Sequence, residues 1–456
     1  MQGTLRDRAS GYHAYVSATT SSPSQELRAR AHRYLPGGVG ASGRHNPCLG
    51  GAVYVRSAEG CRFKDVDGVE YIDFNLSHGA AFLGYRHPAL HQAQQTAIDN
   101  GVLSGYETEA HTELARLITD IIPCAERVRY SNTGSEGTMI ALRLARAHTG
   151  RSKILKFWGH FHGLHDYVMY NAHTPSKPVT PGSLITPEAE SAGMPAELAD
   201  LVVVVPWKDE AALEKALADH GDEIAAVIME PINYNQGCIA ADSDYLQLVR
   251  DCATARGAVL VYDEVLSAFR TGTGCAQGYY GVTPDLCVIG KAVGGGAPLV
   301  VIAGRAAIMD QVGPVGDVSQ SGTFTGSPPA VATALACVTE LCSAGFYDHI
   351  YAVADRLYAG LRDLFQRAGV PARVQGLGAR FGIFFGFTDP VERYDDALRR
   401  DLDMCTKFVR ACANRGVYFH DYGSLVAGHH GICSAHTAAD IDESLNRIET
   451  ALQDIV

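Results

Sequence analysis

The sequence predicts an α/β fold: a largely parallel sheet buried on both faces, with a smaller α+β domain built from the two ends of the chain. Three observations carry this expectation. Short, continuously apolar runs recur in the middle of the chain: "KILKFW", "LVVVVP", "AAVIMEP", "AVLVYDEV" and "LCVIGK". Helical stretches such as "DYLQLVRDCATARG" separate them. Strands that read as unbroken apolar runs belong to sheets covered on both sides. Before and after this region the pattern changes to alternating pairs and long helices, which have the periods of a separate, half-exposed layer.

Taken in order, residues 1–30 are polar, with a Ser/Thr/Pro cluster at 17–24. They predict a mobile arm with one helix starting near Gln25. Residues 31–90 form the first part of the small domain. There "VYVRSAEGCRFKDVDGVEYIDF" alternates and turns on Asp67-Gly68, a hairpin signal. Residues 91–330 form the large domain. It opens with the helices "PALHQAQQTAIDNG" and "EAHTELARLITDII", then the short strand "RVRYSN" and the helix "EGTMIALRLARAHTG", ended by Gly150. Residues 331–456 complete the small domain. They hold the helices "PPAVATALACVTELC" and "HIYAVADRLYAGLRDLFQRAG", a second alternating pair in "VQGLGARFGIFFGF", and a closing helix in "AADIDESLNRIETALQDI".

The bulk numbers bound the function. With 456 residues, 46% hydrophobic and 19% charged, the composition is that of a soluble globular protein. A net charge of −12 argues against a nucleic-acid surface and permits a cationic substrate. The twelve cysteines are scattered and form no CxxC pair. That reads as buried small hydrophobes in a reducing compartment. The N-terminus has no apolar signal core, and no apolar run approaches the ~18 residues of a membrane span. A cytoplasmic enzyme with no membrane partner is expected.

In an open parallel sheet, ligands bind beyond the carboxyl ends of the strands. There the sequence puts Glu230, Asp263, Glu264 and Lys291, together with the turn "TGSEG". "SNTGSEGTMIAL" reads as strand, small-residue turn and helix. A helix N-terminus offers free N–H groups to a phosphate, Gly134 permits close approach, and Ser135 adds a hydroxyl. The same residues also read as a simple N-cap, with Thr133 or Ser135 capping and Glu136 in the first turn. A lysine, a carboxylate and a phosphate cradle on one edge suggest pyridoxal 5'-phosphate. Lys291 would form the Schiff base, and Asp263 would pair with the pyridine nitrogen and keep it protonated. "WGHFHGLHD" has the HxHxxHD spacing of some metallohydrolases. Its place after "KILKFW" instead favours Phe161 as a ring that stacks on the pyridine face, with no metal.

Taken together, these stretches resemble the class III aminotransferases of PLP fold type I, and most closely the glutamate-1-semialdehyde aminomutase branch. The resemblance runs from about residue 30 to 445. It is carried by "LPGGVGASGR", "DVDGVEYIDF", "LGYRHP", "SNTGSEGTMIALRLARAHTGRSKILKFWGHFHG", "MEPINYNQG", "VYDEVLSAFR", "GYYGVTPDLCVIGKAVGGGAPL", "SGTFTGSPPA" and "SAHTAADID". It implies a seven-stranded, mostly parallel sheet in the large domain. It also implies Lys291 as Schiff-base lysine and proton shuttle, Asp263 at the pyridine nitrogen, and Gly134 and Ser135 at the phosphate. Phe161 and Val265 would lie on the two ring faces and Asn235 near the phenolic oxygen. Arg44 would receive a substrate carboxylate. Thr323 would reach the phosphate of a neighbouring subunit, so the active sites of a homodimer would be shared.

Two places depart from the branch. His78 stands where it carries a tryptophan, and "DYGSLVAGHHGICSAHT" is longer than its counterpart and lacks a glutamate. Both line the substrate mouth in the family. The implied activity is therefore transfer of an amino group from an amino-acid donor, glutamate in the first instance, to an aldehyde or ketone. An amino sugar of an aminoglycoside-type antibiotic pathway would suit the negative net charge. The alternative is an aminomutase or epimerase using the same first proton abstraction.

Overall fold

The structure is a computed structural model that describes residues 21–173, 179–423 and 427–456. Its centre is a seven-stranded sheet. The strand order is Arg127–Ser131, Val300–Gly304, Leu286–Ile289, Val259–Glu264, Ile224–Met229, Lys153–Phe157 and Val202–Val205. Six of these are the strands read from the sequence. The other, Val300–Gly304, runs antiparallel to both of its neighbours. The connection from Ile289 to Val300 is too short for the helical crossover that a parallel return needs. That is why this strand has no helix to announce it.

Alternation along the strands sorts residues onto two faces. Val259 and Val261 pack with Ile154, Ile228, Val288 and Ile302 against Ile140, Ala141 and Leu144 of the helix Gly134–Thr149. Leu260 and Tyr262 join Leu155, Met229, Ile289 and Val301 in the core on the other side. The first face belongs to the helix that starts at the strand edge. Gly137 sets how closely that helix approaches, since a Cβ there would meet Val288 Cγ1 at 2.6 Å.

The two ends of the chain share a second sheet. Val55–Glu59, Arg62–Asp65 and Glu70–Asp73 form a meander, and Val417–Tyr418 adds parallel to Glu70–Asp73. The expected single hairpin is therefore two, with an earlier turn at Gly60 (φ +57°). Ala372–Leu377 and Arg380–Phe385 pair as expected, joined by His430–Gly431. The second of these does not alternate in burial: all six residues are buried, which carries Arg380 into the interior. The helix Leu402–Asn414 has an apolar face that the sequence reading passed over.

The helix expected near Gln25 runs Pro23–Ala31, capped by Ser22. It is hydrogen-bonded to the body of the protein. Ser24 N donates to Asp67 Oδ1 (2.9 Å) and Arg28 Nη1 to the Gly50 carbonyl (2.9 Å). Residues 1–20 of the expected arm lie outside the described residues. Among the described residues no single helix is long and apolar enough to cross a membrane.

Candidate active site

Lys291 follows the strand Leu286–Ile289 in a left-handed conformation (φ +45°) that a non-glycine residue rarely adopts. Gly290 precedes it against Val265, leaving no room for a side chain: a Cβ there would meet Val265 Cγ1 at 2.9 Å. Lys291 lines a pocket of about 330 Å³ together with Gly134, Ser135, Phe161, His162, Asn235, Asp263 and Val265. Seven residues singled out in the sequence are thus neighbours. Burial lowers the proton affinity of the Lys291 amine to about 8, against the opposing pull of Asp263.

At one end of the pocket the helix Gly134–Thr149 begins. The capping reading of this turn holds, and it leaves the groups of the phosphate reading free of it, because the two use different groups. Thr133 and Glu136 form a capping box: Thr133 Oγ1 accepts from Glu136 N (3.2 Å), and Glu136 Oε2 accepts from Asn132 N (2.8 Å) and Thr133 N (3.3 Å). Gly137 N starts the helical ladder on the Thr133 carbonyl. The N–H groups between, of Gly134 and Ser135, are those left for an anion at the positive end of a 16-residue helix. The loop 162–164 closes over them. Leu164 N donates to Ser135 Oγ (2.9 Å), and Gly163 (φ +103°) passes where a Cβ would lie 2.6 Å from that oxygen.

Asp263 and Glu264 were expected to converge on this edge, and only one does. Strand alternation turns Asp263 to the face of the Gly134–Thr149 helix and Glu264 to the other face. There Glu264 accepts from Ala276 N (2.7 Å) and Gln277 Nε2 (3.0 Å), a structural anchor for the helix Cys275–Tyr280. Glu230 lies behind the pocket, accepting from Phe161 N (2.8 Å) and Asn235 Nδ2 (2.8 Å). It thereby holds a stacking candidate and a polar candidate in place. Burial, with Asp263 adding to it, pushes Glu230 up to about 8.

The three histidines of "HFHGLHD" go to three different partners. His160 Nδ1 accepts from Glu230 N (3.0 Å), His162 Nδ1 meets Asp263 Oδ2 (2.8 Å), and His165 Nε2 meets Thr138 Oγ1 (3.1 Å). Among the described residues no group of histidines, cysteines and acids could hold a metal. His162 was not singled out from the sequence. Its contact fixes the rotation of the Asp263 carboxylate, and its Nε2 is buried without a partner. The available signal was its position, one residue past Phe161 on a loop leaving a strand end.

The remaining candidates lie elsewhere. Arg44 and His78 share a second cavity of about 670 Å³, lined also by Asp73, Asn75, Ser77, Tyr85, Tyr418 and His420. His78 ends a run of three left-handed residues, Leu76, Ser77 and His78 (φ 53–55°). Its ring contacts His420 (5.0 Å between centroids), and its Nδ1 meets the Tyr422 hydroxyl (3.2 Å). Burial lowers His78 to about 3 and His420 to about 4, so both imidazoles are neutral at pH 7. Asn75 Oδ1 and His420 Nε2 are buried polar atoms without partners on this cavity. Thr323 is exposed and does not line the Lys291 pocket of its own chain.

The Lys291 pocket fits pyridoxal phosphate. It offers a helix N-terminus for the phosphate, an apolar clamp of Phe161 and Val265 for the ring, and an oriented carboxylate for a protonated ring nitrogen. Comparison with known proteins agrees. The profile of the aminotransferase class-III family matches residues 44–452. Glutamate-1-semialdehyde 2,1-aminomutase 2 of Staphylococcus saprophyticus is 36% identical over 436 residues, covering 95% of this chain and 99% of that protein. An omega-transaminase from Sphaerobacter thermophilus superposes with a TM-score of 0.87 at 30% identity, covering 95% of this chain and 98% of that one. A transaminase solved with PLP bound gives 0.82 at 28% identity, covering 94% and 96%. Pyridoxal 5'-phosphate is the cofactor, and the chain belongs to the class-III aminotransferase family.

Proposed function

We propose that the protein is an aminotransferase that takes an amino group from an amino-acid donor, glutamate in the first instance, and delivers it to an aldehyde or ketone. The observation that carries this reading is the joining of two sets of groups. Lys291 and Asp263 face one pocket at a helix N-terminus, while Arg44 and His78 line a second cavity, whose 76–79 turn packs on the Lys291–Gly294 turn. When bound, the cofactor supplies an electron sink that acidifies the Cα–H of an attached amine. The chain supplies the rest. Lys291, once displaced by the donor amine and with burial favouring its neutral form, would take that proton and return it at a neighbouring carbon. Asp263, oriented by His162, keeps the ring nitrogen protonated. Gly134 and Ser135 hold the phosphate, with Thr323 of a second subunit reaching the same group. Phe161 and Val265 would clamp the ring between them, and Asn235, fixed by Glu230, would lie on the side of the phenolic oxygen. Arg44 presents a planar fork to the donor carboxylate.

The acceptor follows from the mouth rather than from the net charge. Its lining holds one cation, two neutral imidazoles, several hydroxyls and one carboxylate, Asp73. Asp73 is itself taken by the Tyr85 hydroxyl (2.6 Å) and Asn75 N (2.7 Å). That surface suits a neutral, hydroxylated carbonyl compound, a sugar of an antibiotic pathway among them. It does not suit a polycation, so the −12 of the whole chain is not an argument for one. A cytoplasmic homodimer completes the reading. A second reading, an aminomutase, is favoured by the 36% identity to a protein of that name.

One experiment separates the two. The cofactor-loaded protein is mixed with L-glutamate alone, and its absorbance and any released 2-oxoglutarate are followed. Stoichiometric release, with loss of the visible band and its return on adding a carbonyl compound, supports transamination. Retention of the amino group on the donor skeleton, with no keto acid released, overturns it in favour of the aminomutase.

A further inference from the structure

The segment that follows Tyr418 is held by an unusual device. Asp421 and Arg400 form a two-pronged ion pair (Nη1–Oδ2 2.9 Å, Nη2–Oδ1 2.9 Å) with side chains 2% and 1% exposed. The same carboxylate accepts from two backbone groups of its own segment, Gly423 N at 2.9 Å and Gly428 N at 3.1 Å. Each Asp421 oxygen therefore accepts from one guanidinium nitrogen and one glycine N–H. Burial works against the Asp421 charge, but Arg400 and the Gly423 N–H hold its carboxyl below the ordinary value.

Desolvating two charges costs about what their attraction returns, so a buried ion pair is a poor way to gain stability. What it gives is a fixed geometry, with the planar fork and the carboxylate each setting the orientation of the other. The geometry fixed here leads to the substrate mouth. Tyr422, between Asp421 and Gly423, puts its hydroxyl on His78 Nδ1 (3.2 Å), and His420 meets the His78 ring edge-on at 5.0 Å. His420 is set in turn by Tyr418, whose hydroxyl meets its Nδ1 (3.0 Å). His78, on the single left-handed turn Leu76–Gly79, meets these rings with its side chain.

We propose that Arg400 and Asp421 are positioning residues for substrate specificity. By pinning the backbone at Asp421 they hold its neighbours Tyr422 and His420 against His78, and so shape the cavity without touching what binds in it. This rests on the reading of that cavity as the substrate mouth.

The test uses binding, so it works whether or not the amino group later moves to a second molecule. Cofactor-loaded protein is titrated with L-glutamate, D-glucosamine and 1-phenylethylamine, and each dissociation constant is read from the absorbance change as the amine displaces Lys291. Asp421→Asn is expected to change the ratios among the three by about tenfold or more, with the spectrum of the loaded protein before amine unchanged. His78→Asn should change the same ratios in the same direction, and the double variant should add less than about twofold. Gly428→Ala keeps both charged side chains but would press a Cβ to 2.6 Å from the His420 carbonyl and 3.0 Å from Asp421 Oδ2, displacing the carboxylate from its partners. It should reproduce the change, and it carries the test if Asp421→Asn fails to fold. Wild-type ratios in folded Asp421→Asn or Gly428→Ala overturn the proposal, as do additive effects with His78→Asn. A uniform weakening of all three amines would mark the pair as merely structural. If wild type responds to no amine at all, the aminotransferase reading falls and this proposal with it.

Discussion

The Lys291 pocket and the Arg44–His78 cavity adjoin each other but are assembled by different means. The first is made from the ends of sheet strands and one helix N-terminus. Most of its side chains sit one or two residues beyond an element whose position the sheet dictates. The second is made from a left-handed turn at 76–79, a loop at 38–44, residues of the small sheet such as Phe63 and Asp73, and the chain at 418–422. No single element fixes these pieces, and their contacts span more than three hundred residues of sequence. The first can be the same for many substrates, because the sheet that holds it does not see the substrate. The second can be rebuilt without disturbing the first, because loops and paired rings carry it. This division would let the residues around Lys291 stay the same while those expected at the substrate mouth, His78 and 421–437, depart from the aminomutase pattern.

Variants at the two places should separate their roles. The largest loss is expected from Lys291→Ala, which keeps the phosphate and ring contacts. It should still bind pyridoxal phosphate but lose the yellow absorbance and fall in turnover by about 10⁴-fold or more. Borohydride reduction of wild type followed by peptide mapping should place the cofactor on Lys291; a label on another lysine would break the assignment. Asp263→Asn should leave the yellow absorbance and slow Cα proton removal, measured with deuterated glutamate, by about 10²–10⁴-fold. An unchanged rate would mean that the ring nitrogen has another partner.

Arg44→Ala tests the other side of the comparison. The guanidinium is exposed at the cavity rim, so solvent screening tempers its pairing. We expect the glutamate half-reaction to weaken by roughly 10–100-fold in kcat/KM, and the carbonyl half-reaction to change much less. An equal fall in both would make Arg44 structural and would blur the distinction between the regions. The smallest expected effect is a pH dependence. The buried Lys291 ammonium gives up its proton near 8 rather than at 10.5, and the neutral amine is the reactive form. The rate at which apoprotein couples to pyridoxal phosphate should therefore rise with pH, reach half its limit near pH 8, and level off above. A midpoint near 10 would show Lys291 to be better solvated than the pocket implies.

The sequence by itself determined the layered α/β architecture, six of the seven central strands, and the set of residues at their ends. Continuous apolar runs, Gly/Ser turns and a lysine after a core strand are local patterns, and a parallel sheet converts local position into spatial position. Tertiary structure alone decided the remainder. Asp263 joins the site and Glu264 leaves it because adjacent strand residues face opposite ways, a choice settled only by which face the Gly134–Thr149 helix covers. His162 became the partner of Asp263 because the loop that carries it folds back over that face. Val300–Gly304 turned antiparallel because its connection was too short to cross over. The mouth was the least legible part, since His78, Tyr422, Asp421 and Arg400 meet only after the two ends of the chain have joined in one sheet, and contacts of that range leave no periodic trace in the residues that make them.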